Sequence, residues 1–334
     1  MLGSFDFDVI RRSLPYMFYE GMTFTLMLTA LSALGGLVFL NSTGEARRVT
    51  VRDLDRAFPR DEPEAANDQS QRESCGTGIA VFGEDAQVTV AASIVSSVGY
   101  AGVLVEQGTA TISHNVIVRA ADAGVLALFG AHARVTPGNQ ISYGRSGIFF
   151  EGEGTTGRIA GNTIVQMRGS GIVVMDRAHA SLADNLITDA TERGVLLTDD
   201  ATATSERDEL ARTVRGFSVL GGELSVSDPL ISDCDVGVIV AGGSAAEVTG
   251  GDVQECLYGL GVSGAGSRLV ASETVITGAG RAGVTSEASG HVELRDLSVT
   301  HSLDGMTVLG ESSAVVATMR VEDTTEAGLW IEGG

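Results

Sequence analysis

Lysine is absent from this 334-residue chain, so all 22 basic residues are arginine, set against 43 acidic ones. A formal charge of −21 at pH 7 would repel phosphates, which removes nucleic acid from the expected partners. Aromatic residues make up only 5%, with one Trp, and there are five prolines. Such a chain has few large side chains with which to fill a compact helical core. Glycine, by contrast, occurs 44 times, a composition suited to many tight turns.

Long apolar runs are also scarce. One stretch, residues 21–40 (GMTFTLMLTALSALGGLVFL), holds twenty residues without a charge. As a helix it would span about 30 Å, the thickness of a bilayer's hydrocarbon core. The expected organisation is an N-terminal segment over 1–14, a transmembrane signal anchor over 15–40, a polar linker over 41–73 and a repeat domain over 74–334. Arginines flank both ends of the run (Arg11, Arg12 and Arg47, Arg48, Arg52), so charge does not fix its orientation. No clear signal-peptidase site precedes the linker.

From Cys75 onward a period takes over. A Gly followed by an apolar residue recurs at Gly78, Gly102, Gly124, Gly147, Gly171, Gly194, Gly216, Gly237, Gly259, Gly283, Gly305 and Gly328, at intervals of 21–24 residues. Twelve such units indicate a repeat fold in which each unit buries itself against its neighbours. After each Gly the apolar positions alternate, as in Val103 and Val105 or Ile172 and Val174, which is strand periodicity. Segments such as ATISHN and ASLADN, then NVIV and NLIT, supply a second and a third short strand. Three strands in about 23 residues leave no room for a helix, and the Leu/Asn frame of leucine-rich repeats is missing. The expected fold is all-β, a parallel β-helix of about 12 coils.

The pattern G-[IV]-x-[VF]…A-x-[LI]-x-x-N-x-[IL] resembles the right-handed parallel β-helix repeats of the pectin-lyase-like superfamily over residues 74–334. That resemblance implies a right-handed solenoid but leaves the activity open, since the scaffold carries lyases, hydrolases, epimerases, phage spikes and surface proteins. Residues 5–36, with SLPY and TLMLTALSALGG, resemble the first membrane segment of polar amino-acid ABC transporter permeases. None of the later permease helices follows, so the segment is expected to anchor rather than to transport.

Several rows share a place in the period. Asn115, Asn139, Asn162 and Asn185 lie 13–15 residues after their Gly and are expected to form a stacked amide ladder at a bend, with Asp208, Asp228 and Asp296 at more solvated bends later. Cys75, Cys234 and Cys256 each lie three residues before a Gly, where other turns carry small residues. Cys234 and Cys256, one turn apart, fit either a disulfide or two small buried thiols.

Two function classes remain. Asp176 and Asp199, both five residues after their Gly, and Asp200 beside them could serve a polysaccharide lyase or hydrolase, with Ca²⁺ as the cofactor only in that case. The plain alternative is that they are turn residues, and no cofactor or metal is expected. Neither the epimerase motif DPHE nor the hydrolase series NTD…DD…GHG…RIK occurs. The other class is a binding or scaffolding subunit. Leu104, Leu126, Phe149, Val173, Leu196 and Ile239 occupy the outward position two after each Gly, where a solvated sheet would be polar. Such a stripe is expected to meet a protein partner, a second copy or the chain's own flanking segment, with a glycan a further candidate ligand. The leading expectation is a membrane-anchored binding or scaffolding β-helix in the periplasm or at the cell surface. Its final unit, GLWIEGG, stops before a coil closes, so a continuation or another subunit is expected there.

Overall fold

The computed structural model describes residues 36–54 and 76–332. Their regular structure is entirely β, 35 strands joined by parallel pairings. Each turn carries three short strands, for example Ala123–Leu128, His132–Val135 and Gln140–Ser142. The third strands stack into a 12-stranded sheet. The first and second strands form one 23-stranded sheet, because Arg193–Glu206 and Arg215–Ser227 run through the corner unbroken.

The register repeats from turn to turn: Val103 pairs with Val125, Val125 with Ile148, Ile148 with Ile172 and Ile172 with Val195. These residues are fully buried, and together with inward positions of the other sheets they form a single continuous core. The repeating glycine belongs to this packing. A Cβ on Gly102 would lie 2.5 Å from Ile117 Cγ2 of the third strand and 2.6 Å from the Gly124 carbonyl of the next turn. At Gly237 the same two approaches are 2.7 Å, from Val253, and 2.6 Å, from Gly259. The row is therefore fixed by close approach, since any side chain there would push turns apart.

The N-terminal boundary differs from the sequence expectation. Leu37–Leu40, Thr43–Arg47 and Thr50–Leu54 are strands of a solenoid turn, in register with Ile79, Gln87 and Ile94. The end of the expected 15–40 membrane span and much of the expected 41–73 linker thus belong to the repeat. The physical reason is visible in TGEAR, where Ala46 is buried between exposed Glu45 and Arg47, the alternation of a half-buried strand. An apolar run such as LVFL fits a buried strand as well as a helix end. No helix among the described residues is long and apolar enough to cross a membrane. Residues 15–35 of the expected span, and Cys75, lie outside the described residues. At the other end, Ala327–Glu332 pairs with Asp304–Leu309, and its inward residues Leu329 and Ile331 are exposed.

The amides form a buried ladder. Asn115 Nδ2 donates to Asn139 Oδ1 at 3.0 Å, Asn139 Nδ2 to Asn162 Oδ1 at 2.8 Å, and Asn162 Nδ2 to Asn185 Oδ1 at 3.0 Å. Each amide also donates to a backbone carbonyl, such as Val90, Ile112, Val135 or Ile159. The left-handed residue of each bend is the one before the ladder position: His114, Gly138, Gly161, Asp184 and Arg207. That residue turns the chain and the Asn points into the stack. Asp208 continues the ladder instead of marking a solvated bend. It is fully buried and accepts from Asn185 N and Nδ2, both at 2.8 Å, and from Ser205 Oγ at 2.5 Å. Asp228 and Asp296 are exposed, as the sequence suggested for those bends.

Burial pushes the Asp208 carboxyl above its usual range, against the lowering effect of the Ser205 and Asn185 bonds. A carboxyl raised in the folded state stabilises below its unfolded pKa, and that contribution is lost as pH rises through the folded value. Asp208→Asn is therefore expected to be more stable than the parent at pH 7. Urea titrations should show the advantage shrinking as pH falls toward the ordinary Asp value of about 3.9. Asn139→Ala strands buried donors and acceptors on three turns, and a loss of about 3 kcal/mol is expected in the same measurement. A loss under about 0.5 kcal/mol would show that the ladder does not hold the turns.

Candidate functional site

The outward row of the first-strand sheet changes character along the solenoid. In register it reads Val38, Ala80, Leu104, Leu126, Phe149, Val173 and Leu196, then Ser218, Ile239, Gly261, Thr285, Thr307 and Trp330. Leu104, Leu126 and Val173 are buried, at 0%, 2% and 5% exposure, while Phe149, Leu196 and Ile239 are half-buried. Leu104 and Leu126, with Ala101, Ala123 and Leu128, form a second apolar cluster outside the solenoid core. The N-terminal part of the stripe is closed to water and does not serve as an open docking face. Alternation along a strand shows which way a residue points but not what lies above it.

Toward the C-terminal end the same face opens into a cleft of about 570 Å³. Its floor runs from Ile239 past Thr285 and Thr307 to Trp330. Gly261 lies between Ile239 and Thr285 in the row, where a Cβ would come within 3.0 Å of Ile239 Cδ1 and 3.3 Å of Thr285 Cγ2. On one side the row Tyr258–Ala282–Asp304 is likewise small in the middle. Trp330 is half-exposed and available from the cleft. Arg215 and Arg281 also line it and form no ion pair among the described residues, although Glu287, Asp304, Glu326 and Glu332 line the same cleft. Asp304 Oδ1 is occupied by the Ala327 N–H at 3.0 Å. The arrangement offers an aromatic surface, hydroxyls, two guanidinium groups and carboxylates on rigid strands. Sequence reading followed the row only to Ile239. The signal that could have extended it was the same offset from Gly328, which lands on Trp330.

The expected carboxylate set is not assembled in that cleft. Asp176, Arg177, Asp199 and Asp200 all have left-handed backbones at the corner between first and second strands. There the strand register jumps from Thr198–Leu220 to Ala201–Gly222, so Asp199 and Asp200 form a bulge. Both are exposed, and Asp176 lies 3.9 Å from Arg177, which is bound at 2.9 Å by Glu153. Asp tolerates the left-handed region, which accounts for these residues at the corner. Among the described residues no three His, Cys, Asp or Glu side chains converge as metal ligands.

Cys234 and Cys256 are free, buried thiols on adjacent turns. The bond from the Cys256 thiol holds Cys234 down to about 7, despite burial, with Thr213 Oγ1 3.4 Å away helping. The same bond and burial push Cys256 up. With iodoacetamide at pH 7.5, mass mapping should find Cys234 labelled before Cys256. Equal labelling of both would contradict the assignment.

A family model for the right-handed β-helix region matches residues 77–228. The chain is a right-handed parallel β-solenoid. No curated protein matches it. Solved structures with a similar fold include the catalytic unit of an α-1,3-glucanase from Streptomyces thermodiastaticus, at TM-score 0.39 and 13% identity, over 72% of this chain and 64% of that one. The A-module of a mannuronan C-5 epimerase from Azotobacter vinelandii matches at TM-score 0.43 and 12% identity, over 92% of each chain. The surface protein and adhesin PfbA of Streptococcus pneumoniae matches at TM-score 0.41 and 7% identity, over 92% of this chain and 94% of that one. The chain thus spans under two thirds of the glucanase, and these likenesses concern the fold alone. The permease resemblance of residues 5–36 is not shown by these comparisons.

Proposed function

We propose that this solenoid is a non-catalytic saccharide-binding protein whose ligand lies in the cleft between Ile239 and Trp330. The observation that carries the reading is a half-exposed Trp330 in a cleft that Tyr258 also lines three turns away, with Arg215 and Arg281 lacking ion-pair partners among the described residues. A sugar presents C–H faces that pack on aromatic rings and a hydroxyl rim that Thr285 and Thr307 can bond. Guanidinium groups add bidentate contacts to a uronate carboxylate. The envelope location and membrane anchoring read from the sequence belong to the same proposal, with the anchor confined to residues before Leu37.

The catalytic alternative extends to the same place. If the chain cleaves a polysaccharide, Glu287, Asp304, Glu326 and Glu332 in the cleft join the exposed Asp176, Asp199 and Asp200 as the carboxylates open to substrate.

Neutral and acidic polysaccharides should be titrated into the full chain by calorimetry, with reducing ends and unsaturated sugars assayed in parallel. Trp330→Ala and Arg281→Ser are each expected to weaken binding at least tenfold, about 1.4 kcal/mol, with no product formed by the parent. Thr285→Trp, which builds into the cleft from its floor, should abolish binding while Asp199→Ala leaves it intact. Product that disappears in Asp304→Asn would replace the binding reading with the enzymatic one. Binding unaffected by Trp330→Ala and Thr285→Trp would remove the cleft from consideration.

A further inference from the structure

The outer face of the second-strand sheet carries a separate oddity. Its two outward rows stack in register, one through Gln87, Thr109, His132, Thr156, His179 and Thr202. The other runs through Thr89, Thr111, Arg134, Arg158, Ser181 and Thr204. None of these positions is acidic, in a chain where Asp and Glu outnumber Arg 43 to 22. Acids return at both borders, with Glu45 opposite Thr89 and Glu223 opposite Thr202. Arg134 and Arg158 are direct cross-strand neighbours, both exposed. Like charges so placed repel each other and destabilise a sheet. Neither arginine forms an ion pair among the described residues: Asp184 at the edge of this face attracts Arg158 without bridging it, and both Asp184 and Glu206 are paired with Arg207. His132 and His179 each engage a hydroxyl of the following turn through Nδ1, at 2.7 Å from Thr156 and 2.8 Å from Thr202. That contact fixes both rings and leaves Nε2 as the free nitrogen.

We propose that this face binds a linear anionic polysaccharide laid along the solenoid axis, with its carboxylates bridging Arg134 and Arg158. An anion between two stacked guanidinium groups turns their repulsion into two charge-assisted contacts. The hydroxyls of Thr111, Ser181 and Thr204 continue the row over roughly 20 Å at ~4.8 Å per turn, matching a ligand that is itself repetitive and hydroxylated. A glycan suits the face better than single-stranded nucleic acid, because the two rows hold no Phe, Tyr or Trp on which bases could stack. This site lies on a different sheet face from the cleft and does not depend on the cleft binding anything.

The test uses the full chain, with polygalacturonate as probe, neutral dextran as control and a single-stranded oligonucleotide as competitor, over a NaCl series. The parent is expected to bind polygalacturonate but not dextran, with affinity falling as salt rises. Arg134→Ser with Arg158→Ser should weaken that binding at least tenfold and flatten its salt dependence, at unchanged circular dichroism. In the Trp330→Ala background, which removes any contribution of the cleft, polygalacturonate binding should persist, and the two arginine substitutions should still weaken it at least tenfold. The proposal is overturned if the parent does not bind the probe, or if the double variant binds as the parent does. It is equally overturned if Trp330→Ala alone removes binding, or if the oligonucleotide competes as well as unlabelled polygalacturonate.

Discussion

The structure depends on one constraint, that each turn must lie directly on the turn before it. Parallel strands are joined by evenly spaced hydrogen bonds, so a residue sits over its counterpart one period away. Val125 lies on Val103, Asn139 bonds Asn115, and Cys256 meets Cys234 for this single reason. The constraint turns a one-dimensional spacing into rows of like side chains. Whatever chemistry occupies one offset from the strand glycine becomes a line on the surface or a column in the core.

Columns and lines follow different rules. Inside, like on like is favourable: aliphatic residues exclude water, and amides satisfy one another in a medium where unpaired groups would be expensive. The glycine column serves that interior by admitting the branched residues of the third strands. Asp208 shows where the rule begins to strain, since it keeps the geometry of an amide but carries a carboxyl that burial drives toward its neutral form. Outside, repetition meets solvent and sorts into faces. The first-strand face passes from a closed apolar cluster to an open cleft, and the second-strand face stays hydroxylated and free of acids over several turns.

The corner residues follow from the same stacking. A turn must bend sharply between its strands, and left-handed residues make that bend in little space. Asp176, Asp199 and Asp200 are accounted for by backbone geometry at such a corner. A cluster of carboxylates at a fixed offset therefore carries less information in a solenoid than it would in an irregular fold.

The sequence by itself determined the period, the three-strand turn, the inward columns and the Asn ladder, because each rests on local spacing that stacking merely repeats. It also determined which residues face outward. It left open where the repeat begins: Leu37–Leu40 pairs with Ile79–Phe82 across an intervening stretch longer than the period, and an apolar run alone does not separate a strand from a membrane span. Only the tertiary structure decided which outward residues are available. Leu104 and Ile239 share a row, yet one is closed to water and the other lines a cleft. The cleft brings together Ile239 and, four turns further along the same row, Trp330, with Thr285 and Thr307 between them. Availability depends on what lies above a face and on gaps left by small neighbours, and both are set by residues far apart in the chain.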